Sequence, residues 1–454
     1  MALTQVELPP DALLRLHAAH PLRYPVLLQS AALGEPLGRY DILLAHPQAQ
    51  LKLHAEGSLT GALEGDQGKG FLAALDLWWQ RERIAADTDL AAAMPFRGGW
   101  FVFLGYELAG EIEPRLRLPR DANRSIAQAL RIPIAVVLRH SDCRAWIVAE
   151  PEFAALAREI VADISALHLD PLTLPDRLLA NRLQEDDSTE YLRNVERTLQ
   201  HIAAGDIYQA NLSRAWRGQL ATGVMPHHVY ARLRRTNPAP FAALAVLDDR
   251  AIISSTPERL IEVRAGVVAT RPIAGTRPRS KDRADDTQRL HELHSHPKER
   301  AEHVMLIDLE RNDLGRICEP GTVRVDEFMT LESYAHVHHI VSNVQGRLRA
   351  NVTPGQALAA VFPGGTITGC PKVRCMEIIG ALERTPRGAY TGSIGYLNRD
   401  GSMDFNILIR TFDVYAGAIS FRAGAGIVAD SVPAKELEET RAKAQGLVHA
   451  LEPT

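Results

Sequence analysis

Residues Phe362 to Ile379 read FPGGTITGCPKVRCMEII, with three glycines, two prolines and two threonines running straight into an apolar-periodic helix. So many residues that free or lock φ, set together, predict a shaped backbone rather than a packing segment, with amides and hydroxyls open to an anion. The stretch is not a P-loop: the GxxxxGK[ST] spacing is missing, and its one lysine, Lys372, follows Pro371. Alone, it is also compatible with an ordinary loop ahead of a core helix. Its weight comes from four more dense, glycine-punctuated polar segments in the same half of the chain.

Toward the N-terminus, residues 1 to about 165 alternate short apolar runs with turns: Tyr24 to Ser30, Gly38 to Ala45, Gly98 to Glu107, Ile132 to Leu138 and Ala145 to Glu150. Bounded by Gly and Pro, these predict strands. Residues 166–188 lack a period and read as a connector. Beyond it, Asp187 and Glu190 have capping-box spacing, and Tyr191, Leu192, Val195, Leu199 and Ile202 keep helical period as far as Gly205. Strands follow over Phe241 to Leu247, Ala251 to Val263 and Gly266 to Thr276, and later at GSIGYL and MDFNILIRTF. Helices are predicted from about Pro297 to Leu309, after Pro371, and from about Pro433 to Ala450. Strands mixed with long helices, without a βαβ rhythm or internal repeat, point to an α+β fold with large antiparallel sheets.

A chain of 454 residues can bury a substantial core, and 46% hydrophobic with 23% charged residues fits a soluble globular class. Net charge is −4 and the basic residues are scattered, which excludes a nucleic-acid face. Cys143, Cys318, Cys370 and Cys375 are too few and too irregular for a disulfide framework, and none forms a CxxC pair for zinc. MALTQVELPPDALLRL lacks the basic start and unbroken apolar run of a signal peptide, and no apolar stretch reaches the roughly 20 residues of a membrane span. A cytoplasmic protein is expected.

Several side chains could carry chemistry. Glu299 and Glu302 share one helix face, and Glu436, Glu439 and Lys443 share another. Separately these read as solvated surfaces with weak ion pairs; brought together they would make a hard-oxygen site for Mg²⁺. Arg410, in the predicted strand MDFNILIRT, is either an edge residue or held for a bidentate anion contact. Gly424 and Gly426 let backbone approach a ligand or another strand. His338 and His339 alternate across a strand, so only one is expected to face inward. Tyr208, Gln209 and Asn211 form a polar cluster after a helix, while Glu258, after Pro257, reads by default as exposed.

Taken in order, YPVLLQSAALGEPLGRYDIL, FRGGWFVFLGYEL, GDIYQANLSR, SSTPERL, RPIAGTRPR, ERAEHVMLIDLERNDLGRI, VHHIVSNV, FPGGTITGCPKVRCMEIIGAL, YTGSIGYL, IRTF, AGAGIVADS and ELEETRAK resemble the chorismate-utilising enzyme family. Nearly the whole chain is covered. Within the family the resemblance is to the ammonia-using branch, aminodeoxychorismate synthase component I and anthranilate synthase component I.

The resemblance implies a large antiparallel β-sandwich flanked by helices, with the active site in a central cleft. It joins an N-terminal region, 1–165, which holds a tryptophan pocket, through the connector 166–188 to a chorismate-binding region, 189–450, in one intertwined fold. It implies Mg²⁺ on Glu302 and Glu439, with Glu299 and Glu436 close by. Arg410 and Tyr390 would hold the enolpyruvyl carboxylate, with Gly369, Gly424, Ala425, Gly426 and Lys443 around the substrate. Glu258 would be the general acid, with His339 beside the ring, and Thr276 is counted among the catalytic positions. Gln209 stands where water-using relatives carry a lysine base, which favours ammonia over isochorismate or salicylate chemistry. Several motifs lean to C4 amination, whereas PIAGT, with Ala274 in place of a lysine nucleophile, is the form familiar from C2 amination to anthranilate. A separate glutamine amidotransferase subunit would supply the ammonia. Leu28, Ser30, Asn237 and Pro238 match the tryptophan pocket.

Overall fold

The strand Gly99–Leu104 illustrates how the fold is assembled. Its alternate side chains enter two different cores: Phe101 and Phe103 fill the layer between two sheets, while Trp100, Val102 and Leu104 pack under helices. A computed structural model describes residues 1–31, 38–62, 70–85, 94–167, 172–248, 250–280, 282–333 and 337–452. Among them the strands form two large antiparallel sheets, of 12 and 11 strands. Helices cover both outer faces. This is the expected architecture of large antiparallel sheets flanked by helices.

Both sheets mix early and late parts of the chain. In the first, Val26–Gln29 pairs with Phe241–Leu247; in the second, Gly99–Leu104 pairs with Ser393–Asn398. Among the described residues no helix is long and apolar enough to cross a membrane. Residues 168–171 of the expected connector lie outside the described residues. Its remainder contributes Leu178 and Leu179 to the core, and Gln184–Glu185 to the edge of the first sheet.

Three predicted strands break, each at a point that matters for the site. Ala251 to Val263 becomes Arg250–Thr256 in the first sheet and Arg259–Arg264 in the second, the chain crossing between sheets at Pro257 and Glu258. MDFNILIRTF likewise becomes Met403–Asn406 in the second sheet and Thr411–Tyr415 in the first. Arg410 is therefore not in a strand but at a crossing, with φ 50°. Pro272 divides Gly266 to Thr276 into Val267–Arg271 and Ile273–Pro278, since it has no N–H for the ladder. The two crossings are tied together. Ile407 N donates to Glu258 O at 3.0 Å, Thr256 Oγ1 to Ile407 O at 2.6 Å, and Ser255 N to Arg410 O at 3.1 Å.

Sequence periodicity misses the strand Ala127–Ile132 and the helices Ala12–Ala19, Phe71–Glu82, Pro226–Thr236 and Arg283–Ser295. Asp187 does cap Ser188–Ala203, accepting from Thr189 N at 2.9 Å.

The loop of Phe362 to Pro371 also corrects an expectation, because packing does require its glycines. A Cβ on Gly364 would lie 2.6 Å from Ile407 Cδ1, on Gly365 2.2 Å from Leu309 Cδ2, and on Gly369 2.1 Å from Gln209 O. Lys372 closes the loop at its base by donating to Asp313 Oδ2 and to Val361 O. Asp313 is only 1% exposed. Lys372→Met should therefore leave a buried carboxylate unpaired and cost about 3–5 kcal/mol of stability in a denaturant titration; an unchanged midpoint would contradict that role.

Candidate active site

The two crossings aim opposite charges at one place. Glu258 is 4% exposed rather than on the surface, and its Oε1 has no hydrogen-bond partner among the described residues. Burial pushes its carboxyl up to about 7, the nearby charges of Lys443 and Arg410 opposing the shift. Arg410 is half-buried, and its guanidinium makes no hydrogen bond or ion pair among the described residues. Burial lowers its pKa, with Glu258 opposing. A half-buried guanidinium without a protein partner has its donors available to an anion.

His339 sits where Val337–Arg347 pairs with Ile273–Pro278, opposite Thr276 in register. Burial first, then the Arg410 charge, takes its pKa down to about 3, so the imidazole is neutral. The expectation that only one of the paired histidines faces inward is corrected: His338 and His339 are both 2% exposed, because both faces of the strand are covered. His338 lies between Ser333 Oγ at 2.7 Å and Asp286 Oδ1 at 3.0 Å. The side chain of Thr276 lies outside the described residues. Ala274 is buried in the same strand, opposite Ile340.

On the first sheet, the strands Gln209–Gln219 and Ala418–Ile427 pair along their lengths and present Gln209, Asn211, Gly424 and Gly426 on one face. Gln209 Nε2 donates to Glu302 Oε1 at 3.0 Å, which brings the helix Pro297–Gly315 to this face. A Cβ on Gly424 would lie 2.7 Å from Tyr390 Oη, and one on Gly426 2.5 Å from Gln209 Nε2. Tyr390 is 6% exposed, and its hydroxyl accepts from Asn211 Nδ2 at 3.4 Å. Ala425 points to the opposite face and packs into a helix-covered core, leaving only its backbone for a ligand. The empty side of Gly369 is filled by the Gln209 carbonyl and Cys375, so its missing side chain serves the pairing of Gly369 with Ala210.

Gly426→Ala should still fold, since the colliding atom is the end of a flexible side chain. It should also detach Gln209 from Glu302 and lower kcat/KM; full activity with normal stability would contradict the contact.

The helix Pro433–Leu451 supplies the remaining groups. Lys443 Nζ pairs with Glu439 Oε1 at 2.7 Å and donates to Gly424 O at 3.1 Å. Both side chains are about half exposed, at 50% and 47%, yet Lys443 feels burial, as expected on the floor of an open cleft. Carboxylates outnumber ammonium here. Burial raises the Glu302 pKa, and the charges of Glu299 and Glu439 add to the shift. Glu299 pairs with Arg277 at 3.1 Å and abuts Gly275, and Glu436 is 8% exposed. Excess negative charge on Glu302 and Glu439 fits a divalent cation, which takes one or two carboxylates from a protein when substrate and water supply the rest. Among the described residues no set of three or more metal-ligating side chains comes together.

Residues 29–449 match a family described as chorismate binding enzyme. The chain belongs to that family. It is 42% identical over 372 residues to an anthranilate synthase component I-like protein of Synechocystis, covering 79% of this chain and 74% of that one. It is also 38% identical over 447 residues to aminodeoxychorismate synthase component 1 of Bacillus subtilis, covering 95% and 92%. The solved structure of anthranilate synthase component I from Streptococcus pneumoniae superposes with a TM-score of 0.81 at 30% identity, covering 92% and 93%.

In this chorismate-binding enzyme, sequence reasoning overlooked two sets of residues around the site. Glu310, on the Pro297–Gly315 helix, is 6% exposed and pushed up to about 8 by burial and then by Asp313, with Glu258 adding to the shift. Arg387 is fully bonded beneath Tyr390, bidentate to Glu383, with its guanidinium 5.5 Å from the tyrosine ring. The i, i+4 spacing of Glu383 and Arg387 was the available signal.

Leu28 and Ser30 line a separate cavity of about 100 Å³, with Pro240, Phe241 and Tyr396 on other walls. Asn237 and Pro238 are not among its lining residues. The register Leu28↔Ala243 sets the residues from Pro240 onward against the Val26–Gln29 strand, while Asn237 ends the helix Pro226–Thr236 and abuts Gly446. Gln29 is tied to Asp41 at 2.7 Å and to Tyr230 at 2.8 Å.

Proposed function

We propose that this enzyme aminates chorismate at C4 with ammonia from a separate glutamine amidotransferase subunit, giving 4-amino-4-deoxychorismate for 4-aminobenzoate and folate synthesis. The observation that carries the reading is the pairing of Glu258, a buried carboxyl still protonated near neutrality, with the uncommitted guanidinium of Arg410. Chorismate is a dicarboxylate. Arg410, with Tyr390 beside Gly424, would hold the enolpyruvyl carboxylate. Glu302 and Glu439 would hold Mg²⁺, whose charge would neutralise the ring carboxylate.

Glu258 would donate its proton to the C4 hydroxyl, which leaves as water as the C–O bond breaks. Ammonia would form the new C4–N bond and give up one proton, which restores the count at Glu258. Gln209 has no basic nitrogen and is bonded to Glu302, so it cannot activate water as a lysine could. Neutral His339 would line the ring without adding charge.

Ala274 supports a second reading, C2 amination followed by pyruvate loss, because its methyl group cannot form a covalent adduct that directs ammonia to C4. One experiment separates the two. Incubated with chorismate, Mg²⁺ and an ammonium salt at alkaline pH, the protein should give a 4-amino product. Anthranilate or its 2-amino precursor would overturn the C4 assignment, and product without any ammonia source would overturn both.

A further inference from the structure

A second cavity, of about 220 Å³, lies on the far side of Tyr390. Ala215 and Arg217 line it, from the same strand and face as Gln209, Asn211 and Ser213. The cavity thus continues the inter-sheet cleft beyond a polar partition of Tyr390, Arg387 and Arg422. Six arginines line it, Arg120, Arg124, Arg217, Arg250, Arg387 and Arg422, against three carboxyls, Glu107, Asp121 and Asp413.

Burial raises the pKa of Glu107, whose carboxyl accepts from Arg387 N and Gly388 N. The three inner arginines are consumed. Arg250 is bidentate to Asp413, and Arg387 and Arg422 share Glu383, which lies outside the lining. Two of the outer three are less committed. Among the described residues Arg120 makes one hydrogen bond, to Ala55 O at 3.0 Å, and lies near the Glu111 charge; Arg217, with its side chain 50% exposed, reaches only Asp186; Arg124 is taken up by Asp413 and Asp121. Counting Glu383, Asp186 and Glu111, which lie outside the lining, the six arginines face six acids, so the excess of positive charge is confined to the cavity wall itself. In a chain of net charge −4, the wall is a local cationic surface, six arginines to three carboxyls, with guanidinium donors of Arg120 and Arg217 left over at its mouth.

We propose that this cavity is a binding site for a small anion carrying two or more negative charges, a polycarboxylate or a phosphate, held at the mouth by Arg120 and Arg217. Planar guanidinium forks suit both chemistries. Its size admits such a molecule. The site stands independently of the reaction assigned to the cleft.

Calorimetric titration of the full chain with inorganic phosphate, citrate and chorismate, each at fixed ionic strength with a chloride control, tests it. Phosphate or citrate should bind saturably at one site. Binding by chorismate with a stoichiometry of two would identify the dicarboxylate substrate itself as an occupant. The double variant Arg120→Gln, Arg217→Gln removes two donors from the rim and nothing from the cleft, and should weaken phosphate and citrate by about tenfold or more. No saturable heat with either anion, or equal affinity in the folded double variant, would overturn the proposal.

Discussion

Glu258→Gln should lower kcat by about 10²–10⁴-fold while leaving the protein folded, because Gln keeps the shape of the buried acid and cannot give up a proton. The pH profile makes the test specific. In the wild type, Glu258 holds its proton up to about 7, well above the ordinary carboxyl range, so kcat/KM for chorismate at constant free ammonia should fall as pH rises through that value. The variant should lose this limb. A rate near wild type, or an unchanged limb, would remove Glu258 from the chemistry.

Linkage gives the sign for stability. Glu258 and Glu310 both titrate above the ordinary range, so between about 4.5 and 7–8 these two groups bind more protons folded than unfolded, and their contribution to stability declines as pH rises across that window. Glu258→Gln should flatten part of that decline.

The second large effect is at Arg410. Arg410→Met should weaken chorismate by about 10²–10⁴-fold, the loss of two charge-assisted hydrogen bonds to a carboxylate, seen mainly in KM. The same change should raise the melting temperature. The guanidinium is desolvated with no protein partner among the described residues, and a thioether of similar length removes that cost. Opposite signs for binding and stability distinguish a substrate ligand from a structural arginine. A variant that loses both would make Arg410 part of the scaffold.

Much of the architecture was legible because apolar runs bounded by Gly and Pro mark strands whatever their partners. The run Phe241–Leu247 has the bounds read from its sequence. What the pattern could not reveal was where a run changes sheets. Ala251 to Val263 and MDFNILIRTF look continuous, since residues on both sides of each crossing are buried and nothing in the period registers the change. Glu258 and Arg410 sit at these breaks, which is why the bare residues read as a surface acid and a strand arginine. Only the ordered set of motifs suggested otherwise. The acidic faces were readable from helical spacing, but their meeting, through Gln209 and Glu302, depends on tertiary packing. The glycines of the Phe362 to Pro371 loop were conspicuous, yet their neighbours, Ile407, Leu309 and the Gln209 carbonyl, come from remote segments.

The hydrogen-bonded crossings at Glu258 and Arg410 also limit how the enzyme can move. Sliding one sheet over the other would carry acid and guanidinium together, since Ile407 N, Thr256 Oγ1 and Ser255 N lock the two passages to each other. The spacing of the two backbone passages that carry the proposed proton donor and anion anchor is then set by the scaffold. Adjustment to substrate falls to the helices Pro297–Gly315 and Pro433–Leu451, which bear the carboxylates and Lys443 and reach the sheet through side chains such as Gln209 and through Lys443 on the Gly424 carbonyl.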